Sequence, residues 1–202
     1  GNRTKRQLSW FLVTRGLWLI VLELTVMQLA YNFDVSANYP IFLLVLWVLG
    51  ACMIVLAALV WLPITWLAVL SASTIASHHL LDGVQAWPLI HQVTVSQAAG
   101  LTVIAPYTLV PWFAVMALGF CVGPIFSGGA DERRRYLVRI GMGLTIAFVV
   151  VRALNIYGDP SPWVPQASPP RTLLSFLNTT KYPPSLAFLL MTLGPALLML
   201  AW

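Results

Sequence analysis

The stretch FLVTRGLWLIVLELTVMQLAY, residues 11 to 31, decides the fold class. An uninterrupted apolar run of this length is what a helix needs to cross a hydrocarbon core about 30 Å thick. Its apolar residues are continuous rather than alternating, which favours a helix over a barrel strand. Comparable runs recur along the chain, and six spans are expected, over residues 8–31, 41–61, 64–81, 107–126, 136–154 and 185–202.

Composition agrees with this reading. Of 202 residues 59% are hydrophobic and 8% charged, against roughly a quarter charged in ordinary soluble domains. The expected fold class is therefore all-α, a polytopic transmembrane helical bundle forming one integral membrane domain over residues 1–202. The chain opens GNRTKRQ and stops at Trp202 inside an apolar run, so it is expected to be a fragment with helices before and after it.

Basic residues in short connections set orientation. Arg3, Lys5 and Arg6 precede the first span, and Arg133, Arg134, Arg135 and Arg139 mark the connection between the fourth and fifth. Both clusters are expected in the cytoplasm, with residues 32–40, 82–106 and 155–184 on the opposite side. The net charge of +5 then serves topology, with anionic lipid headgroups as partner. A nucleic-acid partner is not expected, because the basic residues do not form a soluble face.

Ionisable groups within the spans are costly and mark candidate sites. Arg15 and Glu23 lie eight residues apart in the first span, about 12 Å along the axis, too far to pair on one turn. Arg15 is close enough to the helix start to snorkel; Glu23 is deeper. In SASTIASHHLLDGV, residues 71–84, His78 and Asp82 share a helical face at i, i+4 spacing, so the carboxylate could orient the imidazole. The same residues would also make an ordinary helix end, with His against the negative dipole end and Gly83 as the stop. Adjacent His78 and His79 diverge by about 100°, so no metal is expected. His91 falls in a loop and is expected to be solvated.

Asp34, His91, Arg152, Asn155, Asp159 and Lys181 join His78 and Asp82 on the extracytoplasmic side in this reading. The proline-rich segment 155–184 is expected to lie across the mouth of the bundle, with SFLN as a short amphipathic piece. Segment 82–106 is apolar enough to re-enter the interface. Cys52 and Cys121 lack partners at ligand spacing and read as small hydrophobes. There is no GxxxxGK phosphate loop and no GxSxG elbow.

Five stretches carry a resemblance: FLVTRGLWLIVLELTV, HHLLDG, YTLVPWFAVMALGFCVGPIF, VVVRALNIYGDPSPW and FLNTTKYPPSLAFLLMTLGPALLML. Together, and in this order, they resemble bacterial membrane proteins of the heparan-alpha-glucosaminide N-acetyltransferase catalytic-domain family. The resemblance implies transfer of an acetyl or acyl group from cytosolic acetyl-CoA, or another acyl-CoA, to a sugar or glycan acceptor on the far side of a bacterial cytoplasmic membrane. It places His78 and Asp82 on an HNLLDG-like stretch, with His79 replacing the Asn. Arg15 and Glu23 fall on the TRGLWL…LEL helix, and Lys181 and Tyr182 on the TKYPPS turn. A helix carrying Arg, Asp and His, part of the family's catalytic centre, is expected upstream.

On this reading His78 is the general base, held by Asp82. Arg15, Glu23, Arg152, Asp159, Lys181 and Tyr182 form the acceptor site, with Arg152 or Lys181 available to an oxyanion or acidic glycan. Arg133, Arg134 and Arg135 hold the CoA phosphates. A second copy of the chain is an admissible partner. The competing expectations are a non-enzymatic transporter and a degenerate structural bundle.

Overall fold

A computed structural model describes residues 4–33, 39–83, 89–98 and 101–202. Arg3 and Asp34 lie outside the described residues. The chain divides into two compact units, Gly1–Cys121 and Val122–Trp202.

In the first unit, helix α1 runs over Lys5–Asn32. It starts at a reciprocal capping box in which Thr4 Oγ1 accepts from the Gln7 N–H and the Thr4 N–H donates to Gln7 Oε1. One turn, Glu23–Met27, widens to π-helical geometry. Helix α2 covers Val45–Leu59, and α3, starting just after Pro63, covers Ile64–Leu81. Helix α4 spans Leu109–Ser127, its regular turns beginning at Pro111 because Val110 is extended. The second unit contains α5 (Ala130–Leu154), a short α6 (Pro169–Leu177) and α7 (Leu186–Leu200).

Four of these helices, α1, α3, α4 and α5, are long and apolar enough to cross a membrane. The spans expected at 41–61 and 185–202 are shorter: α2 and α7 have 15 residues each, about 22 Å. Large apolar side chains face outward along the long helices, including Trp10, Leu17, Trp18, Leu24 and Val26 on α1 and Ile146, Val149 and Val150 on α5. Helices apolar on their outer faces are stable in lipid, not in water. The chain is a membrane-embedded helical bundle.

Each unit is organised around one close crossing of two helices. On α1 and α2, a Cβ added to Gly16 would stand 2.6 Å from the Gly50 carbonyl oxygen, and one added to Gly50 would stand 2.5 Å from the Gly16 oxygen. On α5 and α7, Gly141 and Gly194 meet in the same way, a Cβ at Gly141 falling 2.9 Å from the Gly194 oxygen. Lipid chains are as apolar as leucine, so packing contact is what holds such helices together, and glycine brings the backbones close. Around the first crossing lie Leu12, Leu56, Ala57, Leu67 and Ala117; around the second, Phe148, Ala187 and Leu190.

Within the segment expected to re-enter the interface, the described residues form strands. Strands β2 (Thr94–Ala98) and β3 (Leu101–Ala105) pair antiparallel, and β3 also pairs in parallel with β1 (Ile41–Phe42). The β-branched residues of VTV and LTVI suit this small sheet. Its order, β1-β3-β2, joins the segment before α2 to the one before α4.

Candidate functional site

Helix α3 tightens at its end, and the tightening sets the chemistry. Residues His78–Leu81 form a 3-10 turn, in which residues i and i+3 eclipse. Asp82 therefore stands over His79 and not, as α-helical spacing predicts, over His78. Asp82 Oδ2 accepts from His79 Nδ1–H at 2.8 Å, and Oδ1 accepts from His91 Nε2–H at 2.8 Å. The expected His78–Asp82 pairing is thus replaced by one carboxylate shared between two other imidazoles. His78 is buried, its Nδ1–H donating to the Ile75 carbonyl at 2.9 Å. Its ring lies against His79 at 4.2 Å between centroids and meets His91 edge-on at 5.8 Å.

The expectation of a solvated His91 is also corrected: it is 3% exposed. A carboxylate only accepts, so the imidazole nitrogens facing Asp82 carry the protons, and a neutral ring then holds its lone pair on the opposite nitrogen. In His91 that nitrogen is Nδ1, buried and without a hydrogen-bond partner among the described residues. The Asp82 side chain remains 40% exposed. An aspartate that fixes the tautomer of a histidine, leaving one nitrogen basic, is the arrangement general-base chemistry uses. Among the described residues no group of three His, Cys, Asp or Glu is arranged to hold a metal ion. The i, i+3 spacing of His79 and Asp82 was visible in the sequence. The approach of His91 depends on the fold.

Glu23 is 1% exposed and belongs to a different construction. The N-terminus of α2 has no capping side chain of its own. Glu23 supplies one from α1: Oε2 accepts from the Leu46 and Trp47 N–H groups at 2.8 and 3.1 Å. A carboxylate there satisfies orphan donors and meets the positive end of the helix dipole. One turn on, Gln28 Nε2 donates to the Phe42 carbonyl at 2.7 Å, so the π-turned segment of α1 fixes the whole approach to α2. Glu23→Leu is expected to lower stability by about 1–2 kcal/mol, the usual cost of losing a cap. Glu23→Gln, retaining a carbonyl acceptor, should lose less; thermal melts of both variants in one detergent check the order. Arg15, by contrast, is exposed, its guanidinium 5.6 Å from the Phe11 ring centre. Structure does not bring Arg15 and Glu23 together.

In the second unit Arg152 is buried and gives four of its donors to backbone carbonyls: Nε to Phe176, Nη1 to Ser161, and Nη2 to Ser175 and Asn178. Asp159 is similarly engaged. Its Oδ1 accepts from Ser161 N–H and Thr180 Oγ1–H, and its Oδ2 from Thr180 N–H and Ser185 Oγ–H. Ser185 in turn caps α7, its Oγ accepting from the Phe188 N–H at 2.9 Å. These two residues, read in sequence as ligands for an acceptor, hold the GDPSP and TTKYPPS segments in place. Lys181 and Tyr182 are exposed beside them, with the ammonium 5.0 Å from the ring centre.

The arginines at the start of α5 diverge. Arg134 stacks 4.1 Å over the Trp202 ring and Arg133 is half-buried. Arg135 and Arg139, one turn apart, line an open groove of about 560 Å³ with Tyr136, Asp131 and Glu132. The groove mixes both charge signs.

No protein-family model, curated protein or solved structure matches this chain.

Proposed function

We propose that the chain is the membrane core of an acyltransferase that moves an acetyl or acyl group from cytosolic acyl-CoA to an amine or hydroxyl of a sugar or glycan on the opposite side. The observation that carries this reading is Asp82, which fixes two imidazoles at the end of an apolar helix and leaves His91 Nδ1 without a hydrogen-bond partner among the described residues. The resemblance to the heparan-alpha-glucosaminide N-acetyltransferase catalytic-domain family supplies the donor and acceptor classes.

An acceptor amine attacking a thioester must lose a proton as the carbon–nitrogen bond forms and the carbon–sulfur bond breaks. His91 Nδ1 takes that proton and returns it to the departing thiolate, while Asp82 stabilises the imidazolium. His79 holds the second carboxylate oxygen and keeps Asp82 in register, and His78 packs against both rings. Arg135, with Arg139, offers guanidinium groups to the CoA phosphates. Lys181 and Tyr182 remain the exposed candidates for an acidic acceptor.

Transfer of labelled acetyl from acetyl-CoA to a panel of amino sugars, using membranes that contain the complete protein, tests the reading. Asp82→Asn and His91→Ala are each expected to reduce the rate about 10²- to 10⁴-fold with the protein still folded. Rates unchanged in both variants would remove the base assignment. No transfer by the parent protein, together with no acetyl-CoA binding, would replace the reading by a transporter or a degenerate bundle.

A further inference from the structure

Helix α6, Pro169–Leu177, is turned the wrong way round for a surface in water. Its hydroxyls face its own unit: Thr172 Oγ1 accepts from the Gln166 N–H at 2.9 Å and Ser175 Oγ from the Val164 N–H at 3.2 Å. Phe176 packs inward, edge-on to Phe148 and Trp163 at 5.8 and 5.6 Å. The outward face is leucine: Leu173 and Leu174 are 58% and 66% exposed, and Leu177 is exposed beside them. A helix this short cannot cross a bilayer, which needs about 20 residues.

Three features identify what covers that face. First, Arg152 binds the last carbonyls of α6 to the last turn of α5, a helix long and apolar enough to cross a membrane. An element fixed at the end of a membrane-crossing helix sits at the level of the bilayer surface. Second, Leu154, the last residue of α5, and Ile156 just beyond it are also exposed. Third, residues 160–184 carry Arg171 and Lys181 and no acidic side chain. Arg171 shares an open concavity of about 630 Å³ with Leu174, Leu177 and Asn178. A cation beside exposed leucines is complementary to an amphiphile with an anionic head.

We propose that α6 is an interfacial helix whose partner is bilayer phospholipid: Leu173, Leu174 and Leu177 enter the acyl boundary while Arg171 pairs with lipid phosphate. The Arg152 clamp holds it at that depth. Segment 155–184 then belongs partly to the membrane surface and does not simply arch over the mouth of the bundle. Because it does not involve the Asp82 cluster, the inference stands or falls independently of acyl transfer.

The test is a nitroxide at Leu174→Cys in the whole chain, with Cys121→Ala, reconstituted in nanodiscs of phosphatidylcholine and phosphatidylglycerol. Cys52 is 1% exposed, and the Cys121→Ala chain treated in parallel corrects for it. Power saturation with dioxygen and a nickel chelate should place the label about 5–10 Å below the phosphates. Adding Arg171→Glu should move the position-174 label toward water. A position-174 label open to nickel would show a water-facing helix and overturn the proposal. Shielding from both reagents would show a protein cover, either a second copy or the bundle itself, and would overturn it equally. An unchanged depth in the Arg171→Glu chain would remove the phosphate contact.

Discussion

Gly50→Leu is expected to prevent α1 and α2 from packing, with a loss of at least about 3 kcal/mol, the upper end of the range for overpacking. Even a Cβ at this position meets the Gly16 carbonyl oxygen at 2.5 Å and the Ile20 side chain at 2.8 Å. Backbone, unlike a flexible side chain, cannot rotate away, so the helices must separate and lose contact along their length. Gly16→Leu meets the reciprocal obstacle and should behave alike. Gly143→Ala is the contrast, because a Cβ at Gly143 has nothing within 4 Å. Within helix α5 it should be neutral or stabilising by up to about 1 kcal/mol. Size-exclusion profiles and thermal melts of the three variants in one detergent check the prediction. Equal melting temperatures for Gly50→Leu and Gly143→Ala would rule out the crossing.

The contrast between Gly50 and Gly143 also marks how far the sequence can be read. Hydropathy finds the helices, because each membrane-length run must satisfy its own backbone, and that requirement is local. Which glycine faces another helix is not local. The register of the histidines shows the same boundary. His78 and Asp82 were read at α-helical spacing, and a 3-10 turn moved Asp82 onto His79. His91 meets the carboxylate from nine residues further along the chain, a contact no local spacing predicts. Glu23 stood out as a buried charge, yet its partners are backbone N–H groups of α2, which no side-chain pattern encodes. The sequence shows an amphipathic piece around SFLN; that it is a helix, Pro169–Leu177, with outward leucines is seen only where Thr172 and Ser175 find their partners.

Glu23 and Arg152 answer one problem with opposite charges. A short helix leaves the backbone groups at its ends without partners of its own. Glu23 brings negative charge to the start of α2, and Arg152 brings positive charge to the end of α6, each matching the local helix dipole. Buried charge in this chain is therefore partly architectural, which narrows the chemical candidates to the Asp82 cluster and the exposed groups around Lys181 and Arg135.

Arg152→Met should have the second large effect, and a more local one. Four carbonyls, those of Ser161, Ser175, Phe176 and Asn178, lose their donor at once. Leaving a buried acceptor without its donor costs about 1–3 kcal/mol, and here several lose theirs together. Lysine presents a compact ammonium in place of a planar fork and cannot span carbonyls on both sides of the Pro-rich loop, so Arg152→Lys should recover only part of the loss. The Gly141–Gly194 crossing does not depend on Arg152, so α5 and α7 should remain packed while α6 comes free. Hydrogen exchange distinguishes the two levels: amides of residues 172–178 should exchange much faster in Arg152→Met, those around Thr145 and Leu190 little changed. Uniform loss of protection through the second unit would mean that Arg152 supports the whole unit, and unchanged protection at 172–178 would mean that α6 is held by its aromatic contacts alone.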